Sequence, residues 1–238
     1  MVITLYFINW NDSFYLPFIA KHYGQFCHKI VMYDNYSTDE SVKIAQSLGF
    51  EVRYFGRKGE LNDQHYLDIK NNCWKEERSK SDFVIVCDAD EFLCNPTGHK
   101  LGKLPSVKGF DMYSNDLSKE SIFDIKTGFE SVNYSKQIIF SPLINDINYV
   151  HGCHVNKATE RTTPSELTMF HYRSIGGVNR LISRHYDYMK RMSIFNKRYK
   201  MGFHYASSQA AKIQEFNHNL SIAHDLSDIL QIGTIAGA

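Results

Sequence analysis

The chain has 238 residues and a formal net charge of +1, so its composition gives no electrostatic case for binding nucleic acid. A hydrophobic fraction of 43% with 14% aromatics is enough for a sizeable core, in one large domain or two small ones. The five cysteines are scattered, with no CxxC pair; this excludes a disulfide framework and a zinc knuckle and reads as reduced, buried thiols of a cytosolic protein.

The first 95 residues alternate between strand and helix patterns. "ITLYFI" is a short apolar run and reads as a first strand rather than a signal peptide. In "NDSFYLPFIAKHYG", Tyr15, Phe18, Ile19 and His22 recur at helical spacing; Asp12 or Ser13 is the expected cap and Gly24 the stop. "KIVMYD" is a second strand. "STDESVKIAQSLG" is a helix whose Ser37 and Glu40 spell a capping box and whose end is marked by Gly49. "EVRYF" alternates as a third strand, "NDQHYLDIKNNCWKEER" is a third helix with Tyr66, Ile69 and Cys73 inward, and "DFVIVCD" is a fourth strand. This order predicts an α/β fold, a mostly parallel sheet with helices on both faces. Ligands of such sheets bind beyond the carboxyl ends of the strands. Asn11 and Asp12, Asp34 and Asn35, and Asp88, Asp90 and Glu91 all fall at that edge.

Beyond residue 96 the alternation fades into shorter strand patterns, "KGFDMYS", "KQIIFSP" and "ELTMFHY", so a mixed half is expected over 96–178. Residues 179–238 read as a helical extension ending in a frayed "QIGTIAGA". Seven of the 21 residues from Arg180 to Lys200 are Lys or Arg, interleaved with Leu181, Ile182, Met189, Met192 and Phe195. Such a helix reads first as a solvated basic face, and is also able to rest on an anionic membrane. No apolar run approaches the roughly 20 residues needed to span a bilayer.

The stretch "DFVIVCDADEFLCNP" carries an apolar strand into three carboxylates. Residues two apart on a strand share a face, so Asp88 and Asp90 are expected to point the same way and to resist joint ionisation. A divalent cation relieves that conflict, and oxygen ligands suit Mn²⁺ or Mg²⁺ completed by phosphate oxygens. An acidic strand-to-loop turn capped by Glu91 accounts for the same letters, and Asp-x-Asp alone leaves both open.

The ordered set "NWNDSFYLPFIAKHYGQF", "IVMYDNYSTDES", "NDQHYLDIKNNCW", "FVIVCDADEFL", "SKQIIFSP" and "MFHYRS" resembles the family 2-like branch of the GT-A glycosyltransferases over residues 1–190 or so. The resemblance implies a Rossmann-like GT-A catalytic domain over 1–178, with a nucleotide-binding half at 1–95 and an acceptor-side half at 96–178. It implies a UDP- or GDP-linked sugar donor held by Asn11, Asp12, Asp34, Asn35, Gln64, Asp88 and Arg184. The metal would sit on Asp88, Asp90 and His171. Asp12 departs from the usual Glu, and Tyr36 stands where Gly is common.

An inverting transfer also needs a carboxylate to take the acceptor proton. Among Asp116, Glu120, Glu130 and Asp146, Asp116 is preferred because it follows a strand expected on the acceptor side, with Glu91 as the alternative. His151 and His154, flanking Cys153, have no further zinc ligands at recognisable spacing. The expected activity is transfer onto a glycan or lipid-linked acceptor in surface polysaccharide synthesis, in the cytoplasm or on the inner face of a membrane. A sugar-nucleotide pyrophosphorylase is disfavoured because "INWNDSFYLPF" has no Gly, Lys or Arg to cradle phosphate. A phosphatase is disfavoured by Phe92 in "DADEF". A non-catalytic binding module on the same fold remains a competing reading.

Overall fold

The computed structural model describes residues 1–117 and 120–232, so the end of the "QIGTIAGA" tail, 233–238, lies outside the described residues. Two five-stranded sheets organise the chain. The first is built from β1 (Ile3–Asn9), β2 (Lys29–Asp34), β3 (Glu51–Tyr54), β4 (Phe83–Asp88) and the edge strand β8 (Ile139–Phe140), in the order β3-β2-β1-β4-β8. Its four long strands run parallel and β8 is antiparallel to β4. The second sheet has the order β10-β7-β6-β9-β5, from β10 (His224–Asp225), β7 (Thr127–Glu130), β6 (Lys108–Ser114), β9 (Thr168–Ile175) and β5 (Glu91–Leu93).

All seven residues of β1 are buried, as a strand covered on both faces requires. Ile3, Leu5 and Phe7 join one core with residues of α1 (Leu16–Tyr23) and α2 (Ser41–Ser47), and this core continues into the second sheet through Phe110, Met112, Phe170 and Tyr172. Tyr6 and Ile8 point the other way, into a core closed by Leu67 of α3 (Asp63–Asn72) and Trp74 of the following 3₁₀ turn. The chain then turns helical in α4 (Gly177–Arg191), α5 (Ile194–Tyr199), α6 (Gln209–Ile222) and α7 (Ser227–Ile232). Among the described residues no helix is long and apolar enough to cross a membrane. All five cysteines are buried and unpaired.

Two expected caps do not form. Neither Asp12 nor Ser13 caps α1, which starts at Leu16 after an uncapped Tyr15. Nor do Ser37 and Glu40 make a capping box, because α2 starts at Ser41. Asp34, at the end of β2, captures Ser37 instead, accepting from its backbone N–H at 2.8 Å and its hydroxyl at 2.6 Å. A buried carboxylate outcompetes a helix start for the same hydroxyl.

The acidic stretch is where the chain changes sheets: β4 ends at Asp88 and β5 begins at Glu91. α1 clamps this crossover. The Tyr23 hydroxyl donates to the Glu91 carbonyl and accepts from the Leu93 N–H, both at 2.9 Å, and His22 Nε2 lies 2.7 Å from the Leu93 carbonyl. Tyr23→Phe keeps the ring but strands two buried backbone groups; we expect it to lower unfolding free energy by about 1–3 kcal/mol in a denaturant titration.

Burial drives the His22 imidazole down to about 4, although its bond to the Leu93 carbonyl pulls the other way. The unfolded chain takes up this proton near the ordinary histidine value of about 6.5. The stability contributed by neutral His22 is therefore fully present above that value and is lost as pH falls toward 4, by roughly 3 kcal/mol at most. Unfolding midpoints across this window should depend less on pH in His22→Gln than in the native chain; parallel curves would remove His22 as the cause.

Candidate active site

A cavity of about 740 Å³ opens at the carboxyl ends of β1 and β4. Trp10 and Asp12 line it from the end of β1, Tyr66 and Lys70 from α3, and Asp111, His171 and Arg173 from the second sheet. His185 and Tyr188 of α4, with Lys212 and Phe216 of α6, close the far side. β5 and β6 both flank β9, which brings the crossover carboxylates and the side chains of β6 and β9 to one place.

Nearly every acid at the crossover has its own cation. Lys70, 6% exposed, lies 2.8 Å from both carboxylate oxygens of Asp88. Lys136 sits 2.5 Å from Glu91, and these two side chains are 3% and 1% exposed. The other Glu91 oxygen accepts the Asp88 backbone N–H at 3.0 Å, which ties the two acids together. Arg173 Nε donates to Asp90 Oδ2 at 2.7 Å, and Arg184 pairs closely with Asp12. Burial alone would raise the Asp88 carboxyl; Lys70, then Lys136, outweigh it and hold the group below its usual range. Asp90 is held well below the carboxylate range, with Arg173 the chief counterweight to burial.

His171 stands between two acids. Its Nδ1 lies 2.8 Å from Asp111 Oδ1, its Nε2 lies 3.6 Å from Asp90 Oδ1, and its ring stacks on Tyr134 at 3.9 Å. With Nδ1 engaged by Asp111, Nε2 faces Asp90 Oδ1, which is buried with no hydrogen-bond partner. A buried carboxylate oxygen beside an imidazole nitrogen is a donor set that suits a cation, and a carboxylate behind a ligating imidazole is the usual support for one. Asp90 and His171 therefore fit a divalent ion. Asp88 faces Lys70, and among the described residues no three His, Cys, Asp or Glu side chains converge as a ligand set.

The residues expected to hold a nucleotide are largely engaged by the chain itself. Asp34 is fully buried, and it accepts from Asn9 Nδ2 at 2.9 Å as well as from Ser37. Asn35 donates to the Phe55 carbonyl at 3.0 Å and accepts from Arg191. Asn11, at φ 52°, accepts the Thr38 N–H at 2.7 Å and so shapes the loop after β2. Gln64 bridges Asp68 at 2.8 Å and His151 at 3.1 Å. His154 donates to the Asn133 carbonyl at 2.7 Å. Asp116 is exposed on the turn after β6 and does not line the cavity. Glu130 and Asp146 are paired with Lys108 and Lys75 at 2.9 and 2.6 Å, and Glu120 lies beside a separate shallow groove.

The basic face of α4 is only partly solvated. Arg184 and Arg191 turn inward, and the Arg191 guanidinium stacks 3.5 Å from the centre of the Trp10 ring. Lys70, Asp111 and Arg173 were not singled out in the sequence, although each carries a positional cue. Lys70 is four residues after Tyr66 on the inward face of α3. Asp111 is the charged member of the alternation in "GFDMY". Arg173 is two residues after His171 on one strand.

No family model and no curated protein matches the chain. Among solved structures, it is similar to glucosyl-3-phosphoglycerate synthase from Mycobacterium tuberculosis, crystallised with Mn²⁺, UDP-glucose and phosphoglyceric acid, at 17% identity over 47% of this chain with a TM-score of 0.30. It spans less than half of that structure, covering 44% of its length. It is also similar to residues 1–349 of TarS from S. aureus, at 10% identity over 92% of this chain and 71% of that one, with a TM-score of 0.42.

Removing Lys136 would leave Glu91 buried without its cation. We expect Lys136→Met to lower unfolding free energy by roughly 3–5 kcal/mol, and the double variant Lys136→Met with Glu91→Gln to recover most of it. Equal losses in both variants would show that Lys136 matters through packing instead.

Proposed function

We propose that the chain is a GT-A glycosyltransferase of the family 2-like branch. It moves a sugar from a UDP- or GDP-linked donor to a glycan or lipid-linked acceptor, with inversion and with Mn²⁺ or Mg²⁺. The observation that carries this reading is the buried, unpartnered Asp90 Oδ1 facing His171 Nε2 at 3.6 Å, beneath the ends of the parallel strands. Asp90 and His171 would hold the ion, and Asp88 would join them on release from Lys70. The ion would supply Lewis-acid stabilisation of the departing nucleoside diphosphate.

The chain's own residues do the rest. Asp111 fixes the tautomer and orientation of His171, and Tyr134 fixes its plane. Lys70, Arg173 and Arg184 concentrate positive charge where the diphosphate would lie. Trp10, backed by Arg191 and 5.8 Å from Tyr188, offers an aromatic face near the ends of β1 and β2 for a base. Glu91 is paired with Lys136 and Asp116 is exposed off the wall, which favours a wall carboxylate without a cation as the base. Asp63 and Glu215 are wall carboxylates that form no ion pair among the described residues, and we place the base between these two. Tyr186, Ile194 and Tyr199 are exposed beside Lys190, Lys197 and Arg198, which supports contact with an anionic membrane carrying a lipid-linked acceptor.

The inert-module reading is favoured by one observation: Asp34 and Asn35 are already satisfied within the chain. Calorimetric titration of UDP and GDP, with and without Mn²⁺, separates the two. A transferase should bind one nucleotide only with Mn²⁺, lose it in Asp90→Asn, and need about 10–100-fold more metal in Asp111→Asn. Binding that ignores Mn²⁺ would favour the inert module, and binding of neither nucleotide would remove the transferase reading.

A further inference from the structure

The cavity is unevenly charged. Around Asp88–Glu91 the carboxylates meet their cations one for one, but at the end walled by α4 and α6 a cation is left over. Lys212 of α6 lines the cavity and is only 7% exposed. Its ammonium donates to the Tyr205 carbonyl at 2.6 Å and, among the described residues, forms no ion pair. An ammonium has three donors, so two remain. Across from it, His185 Nδ1 is buried with no partner, and its ring packs on Tyr205 at 5.1 Å. Glu215, one turn along α6, also borders the cavity, but it is exposed and not within ion-pair distance of Lys212.

The local potential agrees with this geometry. Burial drives His185 down to about 3, with Lys212, Arg173 and His204 each pushing in the same direction. Burial lowers the Lys212 ammonium below its ordinary value. An enclosed cation with spare donors is costly unless a ligand compensates it. A phosphate matches what is missing, with close to two negative charges and three acceptor oxygens.

We propose that this end of the cavity binds a phosphate group carried by the acceptor, held by Lys212 with His185 donating from Nδ1. The assignment to the acceptor rests on the transferase reading. α6 packs on β6 and β7, in the second sheet, whereas the donor would lie at the ends of β1 and β2 in the first.

The test is calorimetric titration of inorganic phosphate into the full chain, first alone and then saturated with UDP and Mn²⁺. The native chain should bind phosphate in both states. Lys212→Gln, which keeps a donor for Tyr205, should bind it at least tenfold more weakly, with UDP affinity unchanged. Lys212→Arg should retain most of the binding. Thermal melting identifies a variant that has lost its fold, and His185→Phe then serves as the second probe, with the same loss expected. Equal phosphate affinity in native and Lys212→Gln chains, or none in the native chain, would overturn the proposal. Lys212-dependent phosphate binding without any UDP binding would leave the anion site standing and remove the transferase reading. The converse result would do the opposite.

Discussion

The structure turns on a chain crossing between two sheets within a few residues and carrying acids as it crosses. Asp88 ends β4, Glu91 begins β5, and Asp90 between them is buried. A carboxylate taken out of water without a partner costs several kcal/mol, so each has to be met by a cation. Those cations come from distant parts of the chain: Lys70 from α3, Lys136 from the approach to β8 and Arg173 from β9, while Arg184 of α4 meets Asp12 nearby. The site therefore forms only when both sheets and the helix over them are in place. This ties the integrity of the candidate site to the cooperativity of the whole fold.

Such pairing also has a chemical use. A carboxylate matched by a lysine can exchange that lysine for another cation without ever being left bare. Asp88 is the acid best placed for such an exchange, because its side chain is 30% exposed whereas that of Glu91 is 1% exposed. Lys70, once released, would stay within reach of any diphosphate drawn in by the same charge. Glu91 and Lys136 have no such freedom. Their pair is dry, and the second Glu91 oxygen is spent on the Asp88 backbone, so they brace the crossover.

What could be read from the sequence follows from the range of each interaction. The parallel strands and their helices were legible because hydrophobic periodicity is local and β1, β2 and β4 obey it. That β2 and β4 end in Asp34 and Asp88 on the same edge follows from that order alone. Partners separated by tens of residues were not legible. Nothing local says that Lys70 reaches Asp88, that Arg191 stacks on Trp10 or that His171 leans on Asp111. The misplaced caps teach the same lesson at short range. Ser37 has the right spacing to cap α2, but its hydroxyl is worth more to Asp34, whose burial depends on tertiary structure. Asp116 follows directly after β6, whereas the alternation along that strand puts Asp111 on the cavity wall and Asp116 on the exposed turn.

The two ends of the cavity thus face opposite electrostatic problems. At the crossover, acids are in excess of what burial tolerates and the chain supplies the cations itself. At the α4 and α6 end, Lys212 is buried and, among the described residues, forms no ion pair. Marginal stability leaves little room for an uncompensated buried charge with no use. The missing charge is therefore best sought in what enters the cavity. A ligand bringing negative charge to both ends would complete the electrostatics that the polypeptide leaves unfinished. A diphosphate at the crossover and an anionic acceptor at the far end would do this together, each lowering the cost of holding the other's cations in one shared cavity.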